Sequence, residues 1–338
     1  CSTRNFGLIA TGDMLREPAP RSTPRAAAPR AAAPRAAAPL LDRPALTRRL
    51  LLSGLALWAP ATAPLPASSS CAPGSCVTDP LFTRLRNRYI LFRPGECIFE
   101  AADIVDSNPI NKQSEERGLT SKGREQVHRS ATALKALGIT SPVIFYDNGA
   151  RATQTADIIA AALTVPRKDV EPEFRWLEAR GLGALEGSSL REASATLRKL
   201  DAEDIDNGAA PTDDGTPSDS VNEVFSRMRN TIAKIENSYS GGDFVIVAGD
   251  ATVLSVFAAA ACKCELTQHA QFTLRPGEFF DLRELVQQFA AGTFTPMALD
   301  TPTDVDIARG REVLRQMGPR IFAETEAGSW VLGEGVRR

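Results

Sequence analysis

Two arginines and a scarcity of histidine define the chemistry open to this chain. Arg93 follows a short apolar segment at residues 89–92, and Arg151 lies just beyond a second apolar segment. A guanidinium binds phosphate through two parallel hydrogen bonds, so this pair could hold such a group. The 338 residues include only His128 and His269. Chemistry that requires an imidazole therefore has few candidates.

Alternating strands and helices are predicted to position these residues. Apolar runs ending at Pro, Gly or polar residues indicate buried strands, and apolar residues at helical spacing indicate the helices between them. This alternation predicts a three-layer α/β/α fold with a mostly parallel central sheet. Ligands then bind beyond the carboxyl ends of the strands, here after Phe92, Tyr146 and Ala248. The predicted strands are 89–93, 142–146 and 244–248, with 174–177 extended and a closing hairpin at 272–274 and 279–282, and the predicted helices are 121–137, 150–163, 190–200, 218–239, 253–261 and 304–317.

The first 78 residues are predicted to be a disordered targeting region. Residues 15–47 are rich in Arg, Ala, Pro and Ser, which is typical of an organellar transit peptide. Arg48 and Arg49 then precede an apolar run, 50–58, and an Ala-x-Ala motif, an arrangement that resembles a twin-arginine export signal. We expect a plastid protein of the thylakoid lumen, with a bacterial exported protein as the alternative. The run is about half the ~20 residues of a membrane span, and no later segment could span a membrane.

The charge and the cysteine content limit the kinds of ligand and partner that the chain is expected to bind. Residues 1–78 carry nine Arg and three acidic residues, whereas the other 260 carry 30 basic and 38 acidic residues. An acidic body argues against nucleic-acid binding. Cys71 and Cys76 could close a small disulfide loop or remain free thiols, and no Cys or His spacing is typical of a metal site, so neither metal nor cofactor is expected. We expect the folded domain at residues 79–290 and an extension at 291–338.

Several motifs occur in the order and spacing of the histidine phosphatase, or phosphoglycerate mutase-like, superfamily. The segments that carry the resemblance are Arg93-Pro94-Gly95-Glu96, Leu119-Thr120-Ser121-Lys122-Gly123, Arg151-Ala152-Thr153-Gln154-Thr155-Ala156, Leu177-Glu178 with Glu186-Gly187, and the strand 245–248 running into Gly249-Asp250. Together they span roughly residues 88–285. The chain is thereby identified as a divergent member of this superfamily.

The resemblance implies a site from which both catalytic histidines are missing. The family's nucleophilic histidine corresponds to Pro94, and its second histidine corresponds to Gly249. Arg93 and Arg151 stand at phosphate-binding positions, and Glu178 stands at the position of the acid that protonates the leaving group. Two further departures add negative charge, because Asp250 follows Gly249 and Glu100 replaces a family asparagine.

These departures predict a catalytically inactive protein that acts as a binding or assembly module in a plastid. A phosphate or phosphoester ligand and a thylakoid protein partner are the expected interactions. The alternatives are a phosphomonoesterase or phosphoglycerate mutase-like enzyme with an altered mechanism, and a sensor of a phospho-ligand. In the first alternative Cys97 is the only nucleophile near the site that could replace histidine, and a thiolate there would need a lowered pKa. His128 and His269 are expected to be structural.

Overall fold

The computed structural model describes residues 79–110, 112–213, 215–299, 302–317, 322–324 and 330–332. The targeting signals and the Cys71–Cys76 loop predicted from the sequence lie outside these residues. All of these residues belong to one compact unit of the chain. The helices are α1 Pro80–Thr83, α2 Ile98–Ala101, α3 Ser121–Ala136, α4 Ala150–Leu163, α5 Leu190–Glu203, α6 Val221–Ser238, α7 Ala251–Ala261, α8 Leu282–Ala290 and α9 Asp304–Met317. The strands are β1 Arg88–Phe92, β2 Val143–Asp147, β3 Val170–Glu173, β4 Asp243–Val247, β5 Phe279–Asp281, β6 Phe322–Glu324 and β7 Trp330–Leu332.

A five-stranded sheet forms the centre of the fold, with the strand order β3-β2-β4-β1-β5. β1, β2, β3 and β4 run parallel, and only the edge strand β5 is antiparallel. β1, β2 and β4 are almost completely buried, which is why their sequences are continuous apolar runs. The mixed α/β fold with a mostly parallel sheet, predicted from the alternation, is confirmed.

Each face of the sheet is covered by helices, so the core has two halves. On one face, Ile90, Ile144 and Val245 pack against apolar residues of α3 and α4. On the other face, Leu91 and Ile246 point into a cluster with α6 and α7. Successive strand residues therefore supply opposite halves of the core, as the two-residue period of a strand requires. The helices on both faces hold the strands in place, and with them the strand ends at the carboxyl edge of the sheet.

Two sequence-based assignments near this edge were wrong. The extended segment predicted at 174–177 is a bend, and the strand precedes it at Val170–Glu173, where it pairs with β2. The chain turns after Glu173, which carries the following residues across the carboxyl edge of the sheet. The predicted hairpin does not form either, because residues 266–272 are a 3₁₀ helix and only Phe279–Asp281 pairs, with β1. Phe272 and Leu274 are apolar because they are buried in the core, not because they lie in a strand.

The C-terminal helix α9 packs on α2, the short helix that follows the β1 exit. Ile307, Gly310 and Leu314 form its buried face, and Leu314 belongs to a small apolar cluster with Cys97 and Phe99. A Cβ at Gly310 would lie 2.6 Å from the Ala101 backbone, so glycine permits this close packing. The predicted helix at 304–317 is present, and part of the 291–338 extension thus contributes to the packing of the domain.

Candidate functional site

Arg93 leaves β1 at the carboxyl edge and is held by the chain itself. Its Nη1 donates to the carbonyl oxygen of Leu274 at 2.5 Å, and its Nη2 donates to Oε1 of Glu100 at 2.8 Å. Both partners and the guanidinium are mostly removed from solvent. The donors that a phosphate would need at Arg93 are therefore already directed at protein oxygens.

Glu100 lies between the two arginines that the resemblance assigns to phosphate. Its Oε2 accepts a hydrogen bond from the Cys97 backbone N–H at 3.2 Å. Burial raises the pKa of Glu100, but the positive charges of Arg93 and Arg151 outweigh this effect and hold the pKa below its usual value. The carboxylate is thus an internal anion that partly neutralises both guanidiniums.

The backbone packs closely at Pro94 and Gly249, the positions to which the resemblance assigns the family's two histidines. Pro94 is buried, and its carbonyl oxygen accepts a hydrogen bond from the Gly277 N–H at 2.9 Å. Gly249 donates its N–H to the carbonyl oxygen of Leu177 at 2.8 Å. A Cβ at position 249 would lie only 2.3 Å from the Ala179 nitrogen. This wall of the site has no room for a side chain at Gly249.

A cavity of about 160 Å³ opens beside the start of α4 and contains charged groups of both signs. Arg151 lies in the first turn of α4, and Glu178 lies in the segment that follows β3. Lys112, Arg175 and Arg227 also line the cavity. The remaining lining residues are Asp106, Ser107, Asn108, Pro109, Arg117, Asp147, Gly149, Ala150, Ala179, Gly181, Pro217 and Asp219.

Most charges of this cavity are paired with one another. Lys112 Nζ contacts Oδ1 of Asp147 at 3.2 Å and also contacts Oε1 of Glu178. Arg227 Nη2 contacts Oδ2 of Asp219 at 2.8 Å. Glu178, which the resemblance places at the position of the leaving-group acid, is therefore a partner in an ion pair with a lysine.

A third ion pair of the lining is almost completely buried. Arg117 Nη1 lies 3.3 Å from Oδ1 of Asp106. Burial raises the pKa of Asp106, although Arg117 and Arg151 oppose this shift. Burial likewise raises the pKa of Asp147, against the charge of Lys112. Both carboxyl groups therefore take up protons at higher pH than an exposed aspartate does.

The structure brings only some of the sequence-predicted residues together. Arg151 and Glu178 line one cavity, whereas Arg93, Pro94 and Gly249 are not among its lining residues. Sequence reasoning missed four cavity cations, Lys112, Arg117, Arg175 and Arg227. Arg175 stands three residues before Glu178 and could have been found from that proximity. Lys112 and Arg227 belong to a loop and to the polar face of α6, and neither position follows a strand.

Both histidines of the chain lie away from this site. His128 is exposed on α3. His269 is buried, with Nδ1 at 2.8 Å from Ser255 Oγ and Nε2 at 3.1 Å from Asp201 Oδ2. Asp201 is in turn held by two hydrogen bonds from Arg180. These contacts fit the structural role that was expected for His269.

Cys97 is expected to be a poor nucleophile. Its thiol is fully buried, and burial together with the nearby charge of Glu100 raises its pKa to about 11 in spite of Arg151. At pH 8 only about one thiol in a thousand would be ionised. Native protein treated with iodoacetamide at pH 8 should therefore leave Cys97 unlabelled, as measured by peptide mass spectrometry. The same treatment in guanidinium chloride is the control and should label it fully. Labelling of the native thiol at the rate of an exposed cysteine would contradict this account.

Within the described ranges, no helix is long and apolar enough to cross a membrane. The same part of the chain contains no group of three or more His, Cys, Asp or Glu side chains that could hold a metal ion.

Comparison with known proteins shows which family the chain resembles. The family model of the histidine phosphatase superfamily (branch 1) matches residues 107–285. Similar solved structures include a mycobacterial glucosyl-3-phosphoglycerate phosphatase, with 18% identity over 54% of this chain and 85% of that chain and a TM-score of 0.42. A phosphoserine phosphatase variant from Entamoeba histolytica has 18% identity, coverages of 57% and 88% and a TM-score of 0.44. The alpha-ribazole phosphatase of Shigella flexneri has 18% identity, coverages of 57% and 88% and a TM-score of 0.43. A search of curated protein sequences gave no match.

Proposed function

The chain belongs to the histidine phosphatase superfamily (branch 1), and from this premise we propose that it is a catalytically inactive member that acts as a binding or assembly module in a plastid. The observation that carries the proposal is the location of the chain's two histidines. His128 is exposed on α3, and His269 is buried in contact with Asp201 and Ser255. Neither lines the charged cavity. A phosphohistidine intermediate therefore has no residue on which to form.

The environment of Arg93 supports the same proposal. In a working phosphatase, cationic donors must be free to stabilise the charge on the transferring phosphoryl group. Here Glu100 supplies an anion to Arg93 from within the chain. A substrate phosphate would have to displace this carboxylate and would meet its repulsion. Two independent features therefore oppose turnover. The nucleophilic histidine is lost, and the guanidinium of Arg93 is already paired with Glu100.

Phosphate release tests the proposal. The full chain is incubated with glycerol phosphates, phosphoglycerates and sugar phosphates, alongside Arg151→Ala and the matched control Arg198→Ala, which removes an exposed charge on α5. We expect the same background release from all three proteins. Release that is lost in Arg151→Ala but kept in Arg198→Ala would overturn the proposal.

A phosphomonoesterase with an altered mechanism is the second candidate. It is favoured by one observation, the presence of Arg151 and Glu178 on the same cavity. This candidate requires a different nucleophile, and Cys97 is the nearest thiol, with Sγ 3.7 Å from Arg151 Nη1. It predicts that Cys97→Ser abolishes the release that Arg151→Ala also abolishes.

The location in a plastid, specifically the thylakoid lumen, is proposed from the sequence of residues 1–78. A fluorescent protein fused behind these residues should enter plastids, and Arg48→Lys with Arg49→Lys should block its passage to the lumen if the twin-arginine pathway is used. Export to the periplasm in a bacterial host, without plastid entry, would favour the alternative. A thylakoid protein partner is the expected target of an assembly role.

A further inference from the structure

The C-terminal helix α9 lies outside the part of the chain that matches the family model, and it is attached through a narrow face. The matched region ends within α8. The buried residues of α9 are Ile307, Gly310 and Leu314, in a helix of 14 residues. Between α8 and α9, the described residues 293–299 and 302–303 form neither helix nor strand. The helix is therefore a separate element that an irregular connection joins to the domain.

The flank of α9 that faces α5 is not closely packed. A cavity of about 520 Å³ lies between α9 and the start of α5. The side chains that line it are mainly charged, namely Asp103, Arg191, Glu192, Asp304, Arg311 and Arg315. Because charged side chains gain little from leaving water, this flank adds little to the attachment of α9. The helix is held chiefly by its contact with α2.

The short helix α2 in turn depends on α9. It has only four residues, and a helix of one turn is not stable in water without tertiary contacts. Leu314 of α9 belongs to the apolar cluster that also contains Cys97 and Phe99. Arg311 Nε donates to the carbonyl oxygen of Ala102, at the end of α2, at 3.2 Å. The helix α9 thus covers the apolar side of α2 and binds one of its terminal carbonyl groups.

The residue that pairs with Arg93 is carried by α2. Glu100 accepts a hydrogen bond from Arg93 Nη2 through Oε1, and one from the Cys97 backbone N–H through Oε2. The second of these bonds closes the first turn of α2, so it exists only while that turn is helical. The position of the carboxylate therefore depends on α2, and the order of α2 depends on α9.

We propose that α9 is a regulatory clamp: docked on α2, it holds Glu100 against Arg93 and keeps Cys97 buried, and its release frees the guanidinium of Arg93 and uncovers the apolar side of α2. Release does not require the sheet to open, because neither half of the described core contains a residue of α9. Local opening of a weakly attached element costs less than global unfolding. The inference goes beyond the proposed function, since it concerns control of access to Arg93 and holds whether or not a phosphoester is turned over.

Gly310→Leu prevents docking without weakening the helix itself. A Cβ at this position would lie 2.6 Å from the backbone of Ala101, so a leucine cannot be accommodated while α9 is docked. Leucine also favours helix more than glycine does, so α9 stays helical after release. Ala308→Leu is the matched control, because it adds a leucine at an exposed position of α9 that faces the cavity.

The reactivity of two side chains in the full chain reports release. Cys97 is labelled with iodoacetamide and Arg93 with phenylglyoxal at pH 8, and each rate is measured by peptide mass spectrometry. We expect Gly310→Leu to raise both rates at least tenfold and Ala308→Leu to change them less than twofold. Circular dichroism during thermal unfolding shows whether each variant is folded. If Gly310→Leu does not fold, Leu314→Ala decides, because it removes one anchor of α9 and should raise both rates by a smaller factor.

Two results would overturn the inference. In one, Cys97 and Arg93 stay as unreactive as in the wild type in the folded variant. In the other, Cys97 becomes reactive while Arg93 stays protected, because Glu100 would then hold Arg93 without α9. Both results are read from side-chain reactivity, whereas failure of the proposed function is recognised by phosphate release.

Discussion

Asp201→Ala is expected to lower the free energy of unfolding by about 3–5 kcal/mol, the cost of breaking a buried ion pair by removing one partner. Asp201 accepts hydrogen bonds from Nη1 and Nη2 of Arg180 at 2.7 and 2.8 Å, and both side chains are almost fully buried. The alanine would strand the guanidinium of Arg180 and the Nε2 of His269 without their shared acceptor. For a domain of this size we expect the midpoint of thermal unfolding to fall by on the order of 10 °C.

The matched control for this change is Asp157→Ala on α4. Asp157 pairs with Arg167 at 3.8 Å, and both side chains are mostly exposed. Surface pairs of this kind contribute about 0–1 kcal/mol. Thermal unfolding followed by circular dichroism should therefore separate the two variants. Similar midpoints would show that the buried network does not stabilise the fold.

The pH dependence of unfolding gives a second readout for Asp201. Burial raises its pKa, but hydrogen bonds from His269 and Arg180 hold the pKa below its usual value. A carboxyl group with a lowered pKa contributes stability above its unfolded pKa, and this contribution is lost as the pH falls through the folded pKa. Wild-type stability should thus decline below about pH 4, and Asp201→Ala should show a shallower decline.

The network also links this stability to the candidate site. Arg180 Nε donates to the carbonyl oxygen of Asp219 at 2.9 Å, and its backbone N–H donates to Oδ2 of Asp250 at 3.2 Å. Glu178 and Gly181 flank it on the cavity lining. The side chain of Arg180 thus connects Asp201 to the segment of Asp219, which lines the cavity. A loss of this anchor should weaken ligand binding even at temperatures where the fold persists.

The sequence predicted the layers of the fold well because each signal was local. The runs that became β1, β2 and β4 are apolar except for one charged residue at an end of each strand, which is what a strand covered on both faces requires. The helix α6 has Ser220 and Glu223 as a reciprocal cap, so its start was encoded within four residues. The errors arose where burial did not imply regular structure. Leu274, for example, is fully buried in the core but lies outside any helix or strand.

The site was harder to predict because its contacts are not local. The strand-end rule directed attention to Arg93, but the partner that occupies it, Glu100, was recognised only as an added charge near the mouth. Lys112 reaches Asp147 and Glu178 from a loop that no periodicity marks. Which charges cancel and which remain free depends on these long-range pairings. The absence of an ion pair at Arg175 among the described residues therefore could not be predicted, even though its proximity to Glu178 could have been noticed.

Introducing histidines at Pro94 and Gly249, the positions to which the resemblance assigns the family's two histidines, is expected not to create a phosphatase. Gly249 faces the backbone of Ala179, and even a Cβ there would lie 2.3 Å from its nitrogen. Gly249→Ala alone should cost about 1–3 kcal/mol of stability by overpacking, and Gly249→His should cost more. In the double variant Pro94→His with Gly249→His, the second imidazole would displace the segment that carries Glu178 and would not reach a phosphate.

The measurements are phosphate release from a phosphomonoester panel and the midpoint of thermal unfolding. Gly208→Ala is the matched control, because its nearest contact would be the Ser218 Oγ at 3.1 Å, a side-chain atom that can move. We expect a clear loss of stability in the Gly249 variants, a small change in Gly208→Ala, and no phosphate release from the double variant. Release from a stably folded double variant would mean that only the side chains had been lost and that the framework of the enzyme remained. A destabilised double variant that releases no phosphate would mean that the backbone around Gly249 occupies the space that a histidine side chain would need. In that case, a return to catalysis would require movement of the Leu177–Ala179 segment as well as new side chains.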